Sequence, residues 1–381
     1  DEEGADVNNR AKIMNLGVLN GSTAQNGGFI VRSQQRFFEV ESCYSTGSIG
    51  QNGGGICGSS AGDNGTCTVT NCYSTGSIGI NGGGICGWGA GYYNGTCTVT
   101  NCYSTGSIGV GGGGICGDYA GSYASTCTVS NCYSTGNISN DGGGICGRYA
   151  GYDNGTCTVS NCYSTGNIGN DGGGICGRGA GGNGTCTVTN CYSTGSMGEN
   201  GGGICGNSAG YYNGTCTVTH CYSTGSIGIN GGGICGYSAG YYGTCTVTNC
   251  YSTGNISNDG GGICGNSAGN FNGTCTVTNC YSTGNIGQYG GGICGNSAGI
   301  DNGTCTVTHC YSQRKNGNII NGNSDGTTPM DGNYNVSLLS GGNLDASLNI
   351  DASGTNTGAF EADIYGTKNE YPLLKSFRTN T

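Results

Sequence analysis

The triplet Cys-Tyr-Ser recurs at Cys43, Cys72, Cys102, Cys132, Cys162, Cys191, Cys221, Cys250, Cys280 and Cys310, always 29 or 30 residues apart. A unit of that length, such as CYSTGSIGINGGGICGWGAGYYNGTCTVTN over Cys72–Asn101, cannot bury a core alone and becomes stable by stacking on copies of itself. Within each unit the segments CYSTG, GGGICG and TCTV keep a constant length. The segment between GGGICG and TCTV does not: AGYYNGT (Ala90–Thr96) shortens to AGDNGT at Ala61, AGGNGT at Ala180 and AGYYGT at Ala239. A one-residue slip in a strand turns its side chains to the wrong face, so length changes collect in loops. The constant segments therefore read as ordered walls and the variable one as a surface loop.

TCTVT (Thr66–Thr70) alternates with period two, with Cys67 and Val69 on one face and Thr66, Thr68 and Thr70 on the other, as in a half-buried strand. CYSTGSI and GGICG are two shorter strand candidates. Three short strands per unit predict an all-β fold: a β-solenoid, or parallel β-helix, of about nine 29–30-residue coils with degenerate terminal coils, stapled by disulfides. Residues 1–42 are expected to form an N-terminal degenerate coil, 43–312 the nine-repeat solenoid, and 313–381 a C-terminal cap or inter-subunit segment. GGGICG has the G-x-G-x-x-G spacing of a dinucleotide loop, but such a loop occurs once, after a strand, and opens a helix. Here it recurs in every unit and no helical periodicity follows, so the glycines are assigned to tight bends and close backbone packing, and no cofactor is expected.

The unit resembles the GLUG-motif repeats of extracellular and surface proteins, on Asn71-Cys72-Tyr73-Ser74-Thr75-Gly76 and Gly83-Gly84-Ile85-Cys86-Gly87, with Cys86 where those repeats usually carry Val. The ends resemble them too: Ile13–Val18 followed by Gly27-Gly28-Phe29-Ile30 looks like a first coil, and Asn369–Lys375 like the segment that often follows the last one. The resemblance implies a β-solenoid stalk or adhesin-like part without catalytic residues.

The cysteine load departs from that pattern. A chain with 28 cysteines would be reactive in a reducing cytosol, so an extracellular setting, secreted or at the cell surface, is expected. Each unit carries one cysteine in GICG, one in TCT and one in CYS. The expected pairing joins GICG to TCT inside each coil: Cys57 with Cys67, Cys86 with Cys97, Cys116 with Cys127, Cys146 with Cys157, Cys176 with Cys186, Cys205 with Cys216, Cys235 with Cys245, Cys264 with Cys275, and Cys294 with Cys305. Each closes a loop of about 10 residues, worth roughly 2–3 kcal/mol on chain entropy. The CYS class then forms a buried free column or pairs between adjacent coils. A metal ladder fits poorly, because C-x4-C is poor zinc spacing and the chain has 2 histidines.

On the outside, Tyr follows every CYS cysteine and should stack into an aromatic column. Asn64, Asn94, Asn154, Asn183, Asn213, Asn272 and Asn302 lie in NGT sequons, and Asn20, Asn137, Asn255 and Asn335 in others. Asn-Gly is also turn chemistry, but in a secreted chain several of these sites are expected to carry sugar. The Thr rows persist in two units that lack the sequon Asn, at Thr126 and Thr244, so Thr is wanted on that strand for itself. The face resembles the Thr grid of cysteine-stapled insect antifreeze solenoids.

The net charge of −10, with no basic patch and no Lys between Cys43 and Ser312, argues against nucleic acid as a partner. No apolar run reaches membrane-spanning length. The opening DEEGADVNNR, without Met, reads as a mature or trimmed form whose leader, if any, is gone. No carboxylate or histidine recurs in a catalytic register. The expectation is a non-enzymatic structural protein, a glycosylated fibre, stalk or surface coat that associates end to end. The alternative is a binding protein using the Thr array for ice or the Tyr column for glycans.

Overall fold

The computed structural model describes residues 10–312, together with the backbone of four two-residue strands at 330–331, 334–335, 360–361 and 373–374. The chain is a β-solenoid. Its five-residue strands (Phe37–Glu41, Thr66–Thr70, Thr96–Thr100 and onward to Thr304–Thr308) pair in parallel, each with the same segment one coil away, in a twelve-stranded sheet. Register is strict: Cys67 faces Cys97 and Val69 faces Val99, and the same match recurs from coil to coil. The Tyr-Ser dipeptides form a second twelve-stranded parallel sheet. A third wall consists of isolated parallel bridges through Ile, Gly and Cys, for example Ile78 to Ile108, Gly83 to Gly113 and Cys86 to Cys116. Among the described residues no helix is long and apolar enough to cross a membrane.

The corner between the first two walls explains the residue before each CYS triplet. Asn71, Asn101, Asn131, Asn161, Asn190, His220, Asn249, Asn279 and His309 all hold φ between 49° and 55°. That left-handed region suits Asn among non-glycine residues, and His follows it. The two histidines are thus corner residues. The GGGICG glycines serve packing: a Cβ on Gly84 would run into the Gly114 carbonyl and the Ser104 side chain of the next coil.

The core is two apolar columns. The larger stacks the Val of TCTV, the Ile and Cys of GICG, the Ala of the loop and all three cysteine classes. A separate column of Ile49, Ile78, Ile108, Ile138, Ile168, Met197, Ile227 and Ile256 lies behind the short strand. At the N-terminal end, Ala11–Met14 pairs with Phe37–Glu41, and Gly28 and Val31 bridge to Gly54 and Cys57. At the other end, Met330–Asp331 pairs with Val307–Thr308, and Tyr334–Asn335 with Tyr311–Ser312. Phe360–Glu361 pairs antiparallel with Leu373–Leu374, and the rest of the expected cap segment, 313–381, lies outside the described residues.

Candidate functional surfaces and the buried thiols

The GICG and TCT cysteines point at one another across the core. Their sulfurs lie 3.2–3.9 Å apart within one coil at Cys86/Cys97, Cys116/Cys127, Cys146/Cys157, Cys176/Cys186, Cys205/Cys216, Cys235/Cys245, Cys264/Cys275 and Cys294/Cys305. Cys67 turns instead towards the next coil, 2.7 Å from Cys97 Sγ. All 28 cysteines are present as buried thiols. The CYS class forms its own column. The Cys72 amide donates to Cys102 Sγ at 3.4 Å, and Cys102 Sγ lies 3.2 Å from the Thr100 carbonyl. The same pattern repeats at Cys132 and onward. Burial raises the thiol of Cys57, and likewise those of Cys191, Cys221 and Cys280. Hydrogen bonds from neighbouring thiols act the other way at Cys86, Cys127 and Cys146, which they lower, so the columns hold thiols shifted in both directions. Among the described residues no group of three or more His, Cys, Asp or Glu is arranged to hold a metal.

On the outer face, Tyr44, Tyr73, Tyr103, Tyr133, Tyr163, Tyr192, Tyr222, Tyr251 and Tyr281 stack with centroids 4.9–5.0 Å apart and planes within 5°. The spacing is that of the strands beneath them. Each ring inside the column is covered on both faces by its neighbours; the rings from Tyr44 to Tyr222 are half-buried, and Tyr251 and Tyr281 are buried.

The Thr rows run alongside in strict register, as in Thr66/Thr96, Thr68/Thr98 and Thr70/Thr100. The sheet makes a lattice of about 4.8 Å between coils and about 6.6 Å between outward residues on one strand. Hydroxyls link neighbouring coils at Thr100/Ser130 (3.3 Å) and Thr189/Thr219 (3.1 Å). At the N-terminal end the lattice gives way to Glu39 and Glu41, which pair with Arg10 and Lys12.

All seven NGT asparagines are exposed, and all hold φ between 47° and 59°. Turn chemistry therefore accounts for Asn at these places, and the side chains remain open to solvent. Asn20, Asn137 and Asn255 are exposed as well, while the side chain of Asn335 lies outside the described residues. The N-D-G aspartates Asp141, Asp171 and Asp259 occupy the same left-handed turn as Asn52, Asn81, Asn200 and Asn230 in other coils. There they accept bonds from the residue that follows GICG: Asn207 to Asp171 (2.6 Å), Asn296 to Asp259 (2.9 Å) and, as an ion pair, Arg178 to Asp141 (3.5 Å).

Two features had gone unread in the sequence. The first is a ladder of fully buried serines in the CYS triplet, Ser45, Ser74, Ser104, Ser134, Ser164, Ser193, Ser223, Ser252 and Ser282, whose hydroxyls lack a hydrogen-bond partner. The second is an aromatic band on the variable loops, running through Trp88, Tyr92, Tyr93, Tyr119, Tyr123, Tyr149, Tyr152, Tyr211, Tyr212, Tyr241, Tyr242 and Phe271. Its signal lay in the composition of the variable loops, where Tyr recurs at equivalent places in several coils, and not in their length, since the shortened loop at Ala239 keeps Tyr241 and Tyr242. Beside it, Asp118 is buried and paired with Arg148 at 2.9 Å. Burial pushes its carboxyl up to about 7, against the opposing pull of the guanidinium.

No family model, curated protein or solved structure matches this chain.

Proposed function

We propose that the chain is a structural protein, a rigid rod serving as an extracellular fibre, stalk or surface coat, and that its repeat is a cysteine-rich variant of the GLUG type. The observation that carries this reading is the unbroken register. Both sheets pair with themselves from coil to coil, and the bridged wall does so except between Met197 and Ile227, so stiffness along the axis is built into the backbone, and stability accumulates coil by coil. The facing thiols support an oxidising setting, because a small movement of each sulfur would reach the ~2.05 Å of a disulfide. Exposed NGT sequons support a glycosylated surface. The ladder edges support end-to-end association. Negative-stain electron microscopy of the full chain tests the proposal: straight rods or filaments of constant width support it, and compact or flexible particles would refute it.

A second reading, ice binding, is favoured by one specific observation. The Thr lattice runs through nine coils in register with no charged side chain on the TCTV strands. Regular hydroxyl and methyl rows of this kind can order a layer of water. Thermal hysteresis in dilute buffer tests it; freezing at the equilibrium point with no faceted crystals excludes it.

A further inference from the structure

The aromatic band is interrupted at one coil, and the interruption makes a cleft. The loop of that coil reads R-G-A-G-G-N-G from Arg178, with Gly179 and Gly182 where the preceding coil has Tyr149 and Tyr152. Tyr211 of the following coil leans into the space. A Cβ on Gly182 would collide with the Tyr211 ring, and one on Gly179 would meet the Tyr149 ring at 2.7 Å. Tyr211 thereby reaches back to Tyr152, 6.1 Å away and inclined by 21°, and to Tyr149, 6.4 Å away and inclined by 38°. These distances are wider than the 4.9–5.0 Å of the Tyr column, and the ring planes diverge. What remains is a cleft of about 170 Å³ walled by Tyr149, Tyr211, Tyr212 and Tyr241, with Ser208 and Arg178 at its polar side. It is smaller than the ~300–1,000 Å³ of sites for drug-sized ligands, and of a size for one ring.

The charges in the cleft are specific. Arg148 and Arg178 are the only cations between Cys43 and Ser312. Arg148 is engaged: it donates to Asp118 Oδ2 at 2.9 Å and to Asn81 Oδ1 at 3.2 Å, and it lies over the Tyr149 ring. Arg178 is 44% exposed and makes one ion pair, at 3.5 Å, with Asp141. Its guanidinium retains donors for a planar anion. Tyr149 and Tyr212 hold φ of 55° and 47°, where a bulky side chain is strained. Tyr212 is 55% exposed in spite of its apolar ring.

We propose that this cleft binds an acidic saccharide unit, with the C–H face of the sugar ring on the tyrosines and its carboxylate on Arg178. Flat aromatic walls suit the apolar face of a pyranose, the Ser208 side suits its hydroxyls, and the half-exposed Arg178 guanidinium, with donors left over from its pair with Asp141, favours a carboxylated ring over a neutral one. The site stands apart from the rod reading: a rod without this cleft and a cleft on a non-rod are distinguishable results.

The test is saturation-transfer NMR and titration of the full chain with sodium D-glucuronate, methyl glucoside as the neutral counterpart and sodium acetate as the bare anion. Saturable glucuronate binding is expected, with ring protons receiving the transfer. Arg178→Gln should weaken it about tenfold or more, in keeping with loss of a charge-assisted pair. Tyr212→Ala, at an exposed position that leaves the coils intact, should weaken it several-fold. Tyr103→Phe, in the stacked column, should leave it unchanged. Absence of saturable binding up to tens of millimolar, equal binding of methyl glucoside, binding of acetate as strong as that of glucuronate, or indifference to Arg178→Gln would each overturn the proposal.

Discussion

A buried serine hydroxyl without a partner is an uncommon thing to repeat, and here it recurs down one column of the solenoid. Ser104 is fully buried against the Gly84 backbone, and its hydroxyl has no acceptor. An unmet buried hydroxyl costs free energy that an apolar atom of similar size avoids. Ser104→Ala should therefore leave the denaturation midpoint unchanged or raise stability by up to about 1 kcal/mol. Ser104→Val should lower it by about 1–3 kcal/mol through overpacking. A loss of more than about 1 kcal/mol in the Ala variant would show that the hydroxyl is satisfied, for instance by water. Asp118 permits a pH prediction. Its folded pKa of about 7 lies above the ~3.9 of an unfolded aspartate, so the folded chain holds the proton more tightly. Its contribution to stability is then fully present below about pH 4 and is lost as pH rises through 7. Hydrogen exchange of the coils around Asp118 should speed up across that window in the wild type relative to Asp118→Asn. Asn already fills this position at Asn207, Asn266 and Asn296. A parallel response of the two chains would reject the assignment.

The strands and loops show where a one-dimensional reading succeeds. Period-two alternation in TCTVT and the constancy of three segments were enough to place the walls, because a repeat that must stack on itself has its register set by its own length. That the GICG and TCT cysteines face one core was legible for the same reason, since both segments are walls of fixed length; in the structure they meet as thiols. What could not be read was which surface residues gather. The aromatic band depends on loops leaning across coils, as Tyr211 does over Gly179 and Gly182, and no local periodicity encodes that. The thiol geometry yields the next prediction. Peptide mapping of oxidised, unreduced protein should show intracoil links of the Cys116–Cys127 type, with the CYS class remaining free. Links between successive TCT cysteines, for which Cys67 and Cys97 are placed, should be confined to the first coils. A ladder dominated by inter-coil links, or by links from TCT to CYS within a coil, would overturn the assignment of the core.

At the level of the whole molecule, a solenoid is only as closed as its ends, since each terminal coil offers unpaired backbone along every wall. Between the ends the chain should be hard to cut. Arg148 and Arg178 are the only trypsin sites from Cys43 to Ser312, and the amide of each is bonded across coils, to Gly111 and Asp141. Native protein should lose only terminal segments to trypsin, and rapid cleavage at Arg148 without reductant would argue against a continuous ladder. The C-terminal end decides assembly. Met330–Asp331 and Tyr334–Asn335 continue both sheets past the last full coil, which fits a tail that occupies the chain's own edge. Among the described residues each pairing covers two residues, while the strand at Thr304–Thr308 offers five. A short, weakly paired cover of this kind slows growth at an edge without abolishing it. Deleting 313–381 should therefore leave the coils intact, as read by trypsin resistance, and shift the chain towards longer end-to-end assemblies in electron microscopy and sedimentation. If the deletion instead dissolves filaments that the full chain forms, the tail joins one chain to the next, and the edge at Thr304–Thr308 is completed by a second copy.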